Sequence, residues 1–225
     1  MAQRKLDVVV VRWYERLDRS PDVVPRWLAA ARDHLPEATP RRYGDSEPLR
    51  DRFDRDGEAG LARAYAEADS LLFLAGTPPV FHASLSTRGT GRLRGGPVGA
   101  HTLHAELDPA DERLHRFALA LTHPGTIYVS ASVSGGETLD RGTLYGPGDR
   151  PAEPYLAPLG FWLGLPPTRP AWHFFGTAYT RALPADLGTG WVPERFQARL
   201  QEDDIAQRHA PRLPRGLGRS RLRFW

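Results

Sequence analysis

Cysteine is missing from this chain altogether, which removes disulfides, thiolate metal sites, iron–sulfur clusters and thiol nucleophiles at once. Asparagine is missing too, lysine occurs only as Lys5, and isoleucine is scarce, while Ala, Gly, Pro and Arg abound. That skew fits codon bias in a GC-rich bacterial genome, so the arginine count is partly mutational in origin. Long apolar runs are also lacking. Met1–Asp7 has no charged-then-apolar signal pattern, and the run nearest to it, Val8–Val11, is far too short to span a bilayer. A cytoplasmic protein without a membrane partner is expected. Finally, there is little charge of one sign alone: 27 acidic residues are interspersed with 30 basic ones, giving a net charge of +3. Only the end is lopsided, with Arg208, Arg212, Arg215, Arg219, Arg221 and Arg223 following the last carboxylate, Asp204.

What is present describes one mixed domain. At 225 residues the chain is long enough to bury a sizeable core without metals or disulfides. We expect a single α+β domain over residues 1–207 and an Arg- and Pro-rich tail over 208–225. Residues 8–14 (VVVVRWY) are β-branched and aromatic and predict a strand. Ser20-Pro21 reads as a helix N-cap with proline at the first helical position, and Val24, Trp27, Leu28, Ala31 and Leu35 recur at helical spacing up to Pro36. Residues 36–57 read as a surface connection, and 58–69 as a second helix. Leu71–Leu74 and Val80–Ser86 flank Gly76-Thr77-Pro78-Pro79 and predict a hairpin.

Two further strands show a two-residue period, 101–107 and 126–133, with an Asp108-Pro109-capped helix between them. Phe81, Ala83, Leu85, Leu103, Ala105, Leu107, Ile127, Val129, Ala131 and Val133 then point to the core. The order strand, proline-capped helix, turn and strand occurs twice, which suggests an internal structural duplication. After a Gly- and Pro-dense loop over 135–157 come the aromatics Phe161, Trp162, Trp172, Phe174, Phe175 and Tyr179, for which packing in the core is the expected role, then a helix over about 193–206. The fold class is a two-layer sandwich, a mainly antiparallel sheet with helices on one face, in two similar halves.

Candidate chemistry is sparse. His101, His104 and Glu106, with His82, are metal-ligand types, but in a strand His101 faces away from His104 and Glu106. Ser84, His104 and Glu106 supply the residue types of a hydrolytic triad, yet the chain has no Gly-x-Ser-x-Gly elbow. The run Arg88–Gly96 lacks the lysine and following helix of a phosphate-binding loop and reads as a flexible hairpin loop. No catalytic residue, cofactor or metal site is therefore assigned. What remains is the polar face of the sheet: His82, Ser84 and Ser86, Thr102, His104 and Glu106, and Tyr128, Ser130 and Ser132. Such a face is either plainly solvated or a docking platform. The partner-binding candidates are His82, Ser84, His104, Glu106, Tyr128 and Ser130.

The Tyr43-Gly44-x-x-Glu47-Pro48 turn after the first helix and the later Leu163-Gly164-Leu165-Pro166 and Phe175-Gly176-x-x-Tyr179 segments bring in a resemblance. Over most of residues 8–185 the chain resembles bacterial immunity proteins of polymorphic toxin systems, nearest to the immunity protein 52 family. The resemblance implies a non-enzymatic protein that binds a cognate toxin and blocks its active site or its substrate approach. Immunity proteins against nucleases are usually acidic, whereas this chain is basic, so a toxin with an acidic or neutral surface is the expected partner. Two other readings remain: a small hydrolase or transferase using His104 and Glu106, and nucleic-acid binding through the Arg-rich tail.

Overall fold

The apolar run that opens the sequence becomes the middle of a sheet. The computed structural model describes residues 3–19, 22–88, 98–140, 143–146, 171–175 and 190–191. Within them β1 (Arg4–Arg16) pairs antiparallel with β6 (Val98–Ala105) on one side and β7 (Thr126–Asp140) on the other. Beyond β6 follow β5 (Val80–Ser86), β4 (Leu71–Ala75), β2 (Arg42–Gly44) and the two-residue edge β3 (Asp51–Arg52). Beyond β7 come β9 (Trp172–Phe175) and β10 (Gly190–Trp191), while β8 (Thr143–Tyr145) pairs with the far end of β7. All pairings are antiparallel, as expected for an α+β fold in which a sheet carries its helices on one face.

A strand buried on both faces reads as an unbroken apolar run, which is why Val8–Val11 does not alternate. Val9, Val11 and Trp13 face the helices and join Leu72, Leu74, Leu85, Leu103 and Val129 in the main core. Leu6, Val8 and Val10 face the other way, where they pack with Phe81, Leu139 and Leu144. Phe81 thus lies on the face opposite to the one its alternation predicts. A β-bulge between Val80 and His82 is the cause, since one extra residue re-aims the side chains beside it. Val133, expected inward, is 53% exposed. The loop expected from residue 135 onward begins instead as strand: β7 runs to Asp140 and turns back as β8.

The helices are α1 (Val23–His34), α2 (Phe53–Glu67) and α3 (Glu112–Ala120). Trp13, Trp27 of α1 and Phe117 of α3 meet one another edge to face, with ring centroids 5.0–6.0 Å apart, and the Trp27 indole donates to the Ala38 carbonyl at 3.0 Å. This cluster ties two helices to the central strand. The expected Ser20-Pro21 start lies outside the described residues, and α1 begins at Val23 behind Asp22, whose φ is 48°. The proline that fits the helix is Pro25, in the first turn, where a backbone N–H has no intrahelical acceptor. Likewise α3 is capped not by Asp108 but by Asp111, whose carboxylate accepts from the Arg113 N–H at 2.8 Å. α2 starts earlier than expected, at Phe53, with a break at Gly57 (φ 61°, ψ −162°) that only glycine accommodates readily. The expected duplication is not shown among the described residues: α1 leads to β2, β3 and α2, whereas α3 leads directly into β7.

Of the late aromatics, Trp172 is buried and donates to the Pro109 carbonyl at 2.8 Å, and Phe174 packs against the core. Phe161, Trp162 and Tyr179, the helix expected over 193–206 and the tail 208–225 lie outside the described residues. No helix among the described residues is long and apolar enough to cross a membrane.

Candidate functional site

The polar face is built differently from the row of three strands that alternation implies. β5 and β6 are neighbours, but β1 lies between β6 and β7 and inserts its own residues. Register aligns Ser84, Thr102, Arg12 and Ser130 in one row, and His82, His104, Val10 and Ser132 in the next. Arg12 is therefore at the heart of the face, donating to the Ser132 hydroxyl at 3.3 Å. An arginine inside an apolar strand was a usable sign of it.

Nor is this an open platform. Ser84, Ser130, Ser132 and Tyr128 are all buried, with Ser130 wholly inaccessible and its hydroxyl without a hydrogen-bond partner. Tyr128 stacks on Tyr14 with centroids 6.2 Å apart. The Ser84 hydroxyl bonds to that of Thr102 at 2.7 Å and not to His104, so the triad of Ser84, His104 and Glu106 is not assembled. Glu106 follows the end of β6 and is bound by both terminal nitrogens of Arg4. His104 faces His82 instead, ring centroids 5.6 Å apart. Burial, helped by the neighbouring His82 and Arg12, pulls the His104 pKa down to about 3. Burial also lowers His82. Both rings are therefore uncharged near neutrality.

These rings line a surface cleft of about 1110 Å³. Its walls are the β2–β3 turn, with Glu47, Pro48 and Leu49, and β8, whose Tyr145 is 54% exposed. Through Arg42, Ala75 and Phe81 the cleft shares lining with a second of about 1000 Å³, rimmed by Arg4, Arg41, Arg42 and Arg52 and floored by Val80, Phe81 and Leu139. The two form one trench along the β4–β2 end of the sheet.

A second constellation, unforeseen from the sequence, lies on the helix side. Glu15, only 2% exposed, accepts from Nε2 of His101 at 2.9 Å, from Nε2 of His123 at 2.8 Å and from Arg26 at 2.9 and 3.1 Å. Each imidazole is held from behind. The Ser86 N–H donates to Nδ1 of His101, and the Gly125 N–H to Nδ1 of His123, both at 3.0 Å. Each ring thus accepts a backbone N–H at Nδ1 and turns Nε2 to the carboxylate. Arg26 supplies the guanidinium that faces Glu15. Burial pushes the Glu15 carboxyl up, but the two histidine hydrogen bonds and the Arg26 charge outweigh it and hold the group far below the carboxylate range. Tyr65, pushed up to about 12 by burial and by the Glu15 charge, donates to the Ser86 carbonyl and closes the network. With every polar atom of the two rings occupied, the cluster joins β1, β6, α1 and the α3–β7 turn and leaves no group presented to a substrate.

Among the described residues no group of three or more His, Asp or Glu is placed to hold a metal ion. Against known proteins, no family model matches the chain, and neither a curated protein nor a solved structure matches it.

Proposed function

We propose that this is a non-enzymatic, antitoxin-like protein that neutralises a cognate bacterial toxin in the cytoplasm by binding it directly. The observation that carries the reading is the trench: an open, continuous depression with an apolar floor, a charged rim and an exposed aromatic, Tyr145, on its wall. Interfaces between proteins combine these features, with a central aromatic anchor surrounded by polar groups. The state of the other side chains is consistent with it. His104 and Glu106, the pair a hydrolase would need, are directed to different partners, His82 and Arg4. The Glu15 network is closed on itself. The resemblance to immunity proteins points the same way.

Co-expression with the product of the adjacent gene tests the proposal. The expected result is a complex that survives size-exclusion chromatography and relief of that protein's toxicity. Separate elution together with unrelieved toxicity would contradict it.

A further inference from the structure

The arginines of this chain are not equally free. Most carry a carboxylate close at hand: Arg16 with Asp18, Arg32 with Asp33, Arg55 with Asp56, and Arg116 with Glu112. Arg41, Arg42 and Arg50, grouped on and beside β2, carry no ion pair among the described residues, and the polar contact of Arg42 is to the Leu49 carbonyl at 3.5 Å. Arg41 and Arg42 are exposed and stand on the rim of the trench. Of the other rim arginines, Arg4 is committed to Glu106 and Arg52 to Asp54. Elsewhere among the described residues Lys5, bonded to Thr138, and Arg63 on α2 also carry no ion pair, but Arg41 and Arg42 are the two that stand together directly above an apolar floor.

Resting on the protein-binding reading above, we propose that this trench is the docking surface and that its occupant is an acidic protein segment carrying apolar side chains. Guanidinium forks grip carboxylates in a planar, two-point geometry, which would set the segment's register along Arg41 and Arg42. Phe81 and Leu139 offer the floor against which its apolar residues would pack. A nucleic acid fits less well. The rings on this side of the trench, Phe53 and Phe81, are packed against the protein's interior and do not stand free for base stacking. Two free guanidinium groups also neutralise few phosphates.

The test uses the full chain and immobilised peptides of roughly ten residues, the length of an extended recognition segment. One set alternates acidic with Leu or Phe residues, a second replaces the acids by Lys, a third is acidic without apolar residues, and a single-stranded oligonucleotide completes the series. Binding of the acidic–apolar set is expected, weakening by about tenfold in Arg41→Glu and further in Arg41→Glu/Arg42→Glu, and falling as salt is raised. No binding by that set, binding indifferent to Arg41→Glu, or stronger retention of the oligonucleotide would overturn the proposal. Melting curves verify that the variants fold. Should the double variant not fold, Arg41→Glu, at an exposed side chain without an ion pair, and the salt series on the unaltered chain decide the matter. If the adjacent-gene product still binds the double variant normally, the trench is wrong and the protein-binding reading stands. If that product binds neither form, the failure is that of the broader reading.

Discussion

Glu15 shows how far a single residue's role can lie from its sequence neighbourhood. Breaking a buried ion pair leaves a desolvated charge, so Glu15→Gln should cost about 3 kcal/mol or more in urea denaturation at neutral pH. Removing the carboxylate of the solvent-facing pair, in Glu106→Gln, should cost less than about 1 kcal/mol. Equal small effects would mean that the network does not hold the fold. The pH dependence has two windows. His104 is uncharged in the fold, while the unfolded chain takes up a proton below its ordinary value of 6.5, so stability falls as the pH drops from there toward 3. Glu15 acts lower down. Its folded pKa is depressed, so its contribution is complete above the ordinary value of 4.5 and is lost as the pH falls below that. His104→Gln should therefore remove about 1–2 kcal/mol of the stability loss between roughly pH 7 and pH 5. Urea midpoints at the two pH values measure it, and an unchanged loss would contradict the half-buried, neutral His104. None of the Glu15 cluster was legible beforehand. His101 and His123 lie 86 and 108 residues from Glu15 in the chain, and no local pattern encodes such a meeting. Arg12, by contrast, was conspicuous in its strand, and only its central place in the polar rows needed the sheet order.

At the scale of the element, the periodicities of Trp27, Leu114, Phe117 and Ala118 mark the apolar faces of α1 and α3, and these residues are in the core. Starts and interruptions were less readable because several residues compete for the same role. Asp108-Pro109 and Asp111 both resemble caps, and only the latter accepts the Arg113 N–H. Asp111→Ala should accordingly lower stability by about 1 kcal/mol, while Asp108→Ala should not disturb α3. The break in α2 makes a sharper case. Apart from its chain neighbours and its own helix backbone, no heavy atom lies within 4 Å of where a Cβ on Gly57 would stand, so packing alone predicts a harmless substitution. The backbone conformation predicts the opposite: Gly57→Ala should cost about 1–3 kcal/mol. A neutral result in thermal or urea melts would show that α2 runs without its break. The Phe81 reversal has the same lesson, since one inserted residue flips a face without any change in composition.

For the molecule as a whole, the class of fold was accessible because alternation and helical spacing survive in a single sequence. The strand order was not, because β1 takes partners from two distant segments, β6 and β7, and thereby divides the polar face. Ser84, Ser130 and Tyr128 are buried in that divided face, whereas the trench beside β2 is rimmed by the exposed Arg41 and Arg42. On the docking proposal the protein works by binding through this surface and not by chemistry at His104 and Glu106. Toxicity relief by co-expression with the adjacent-gene product separates the two. Relief should persist in Glu106→Gln, which removes the carboxylate of the acid–base pair and lines neither cleft, and be lost in Arg41→Glu/Arg42→Glu. Relief that disappears in Glu106→Gln and survives Arg41→Glu/Arg42→Glu would contradict it.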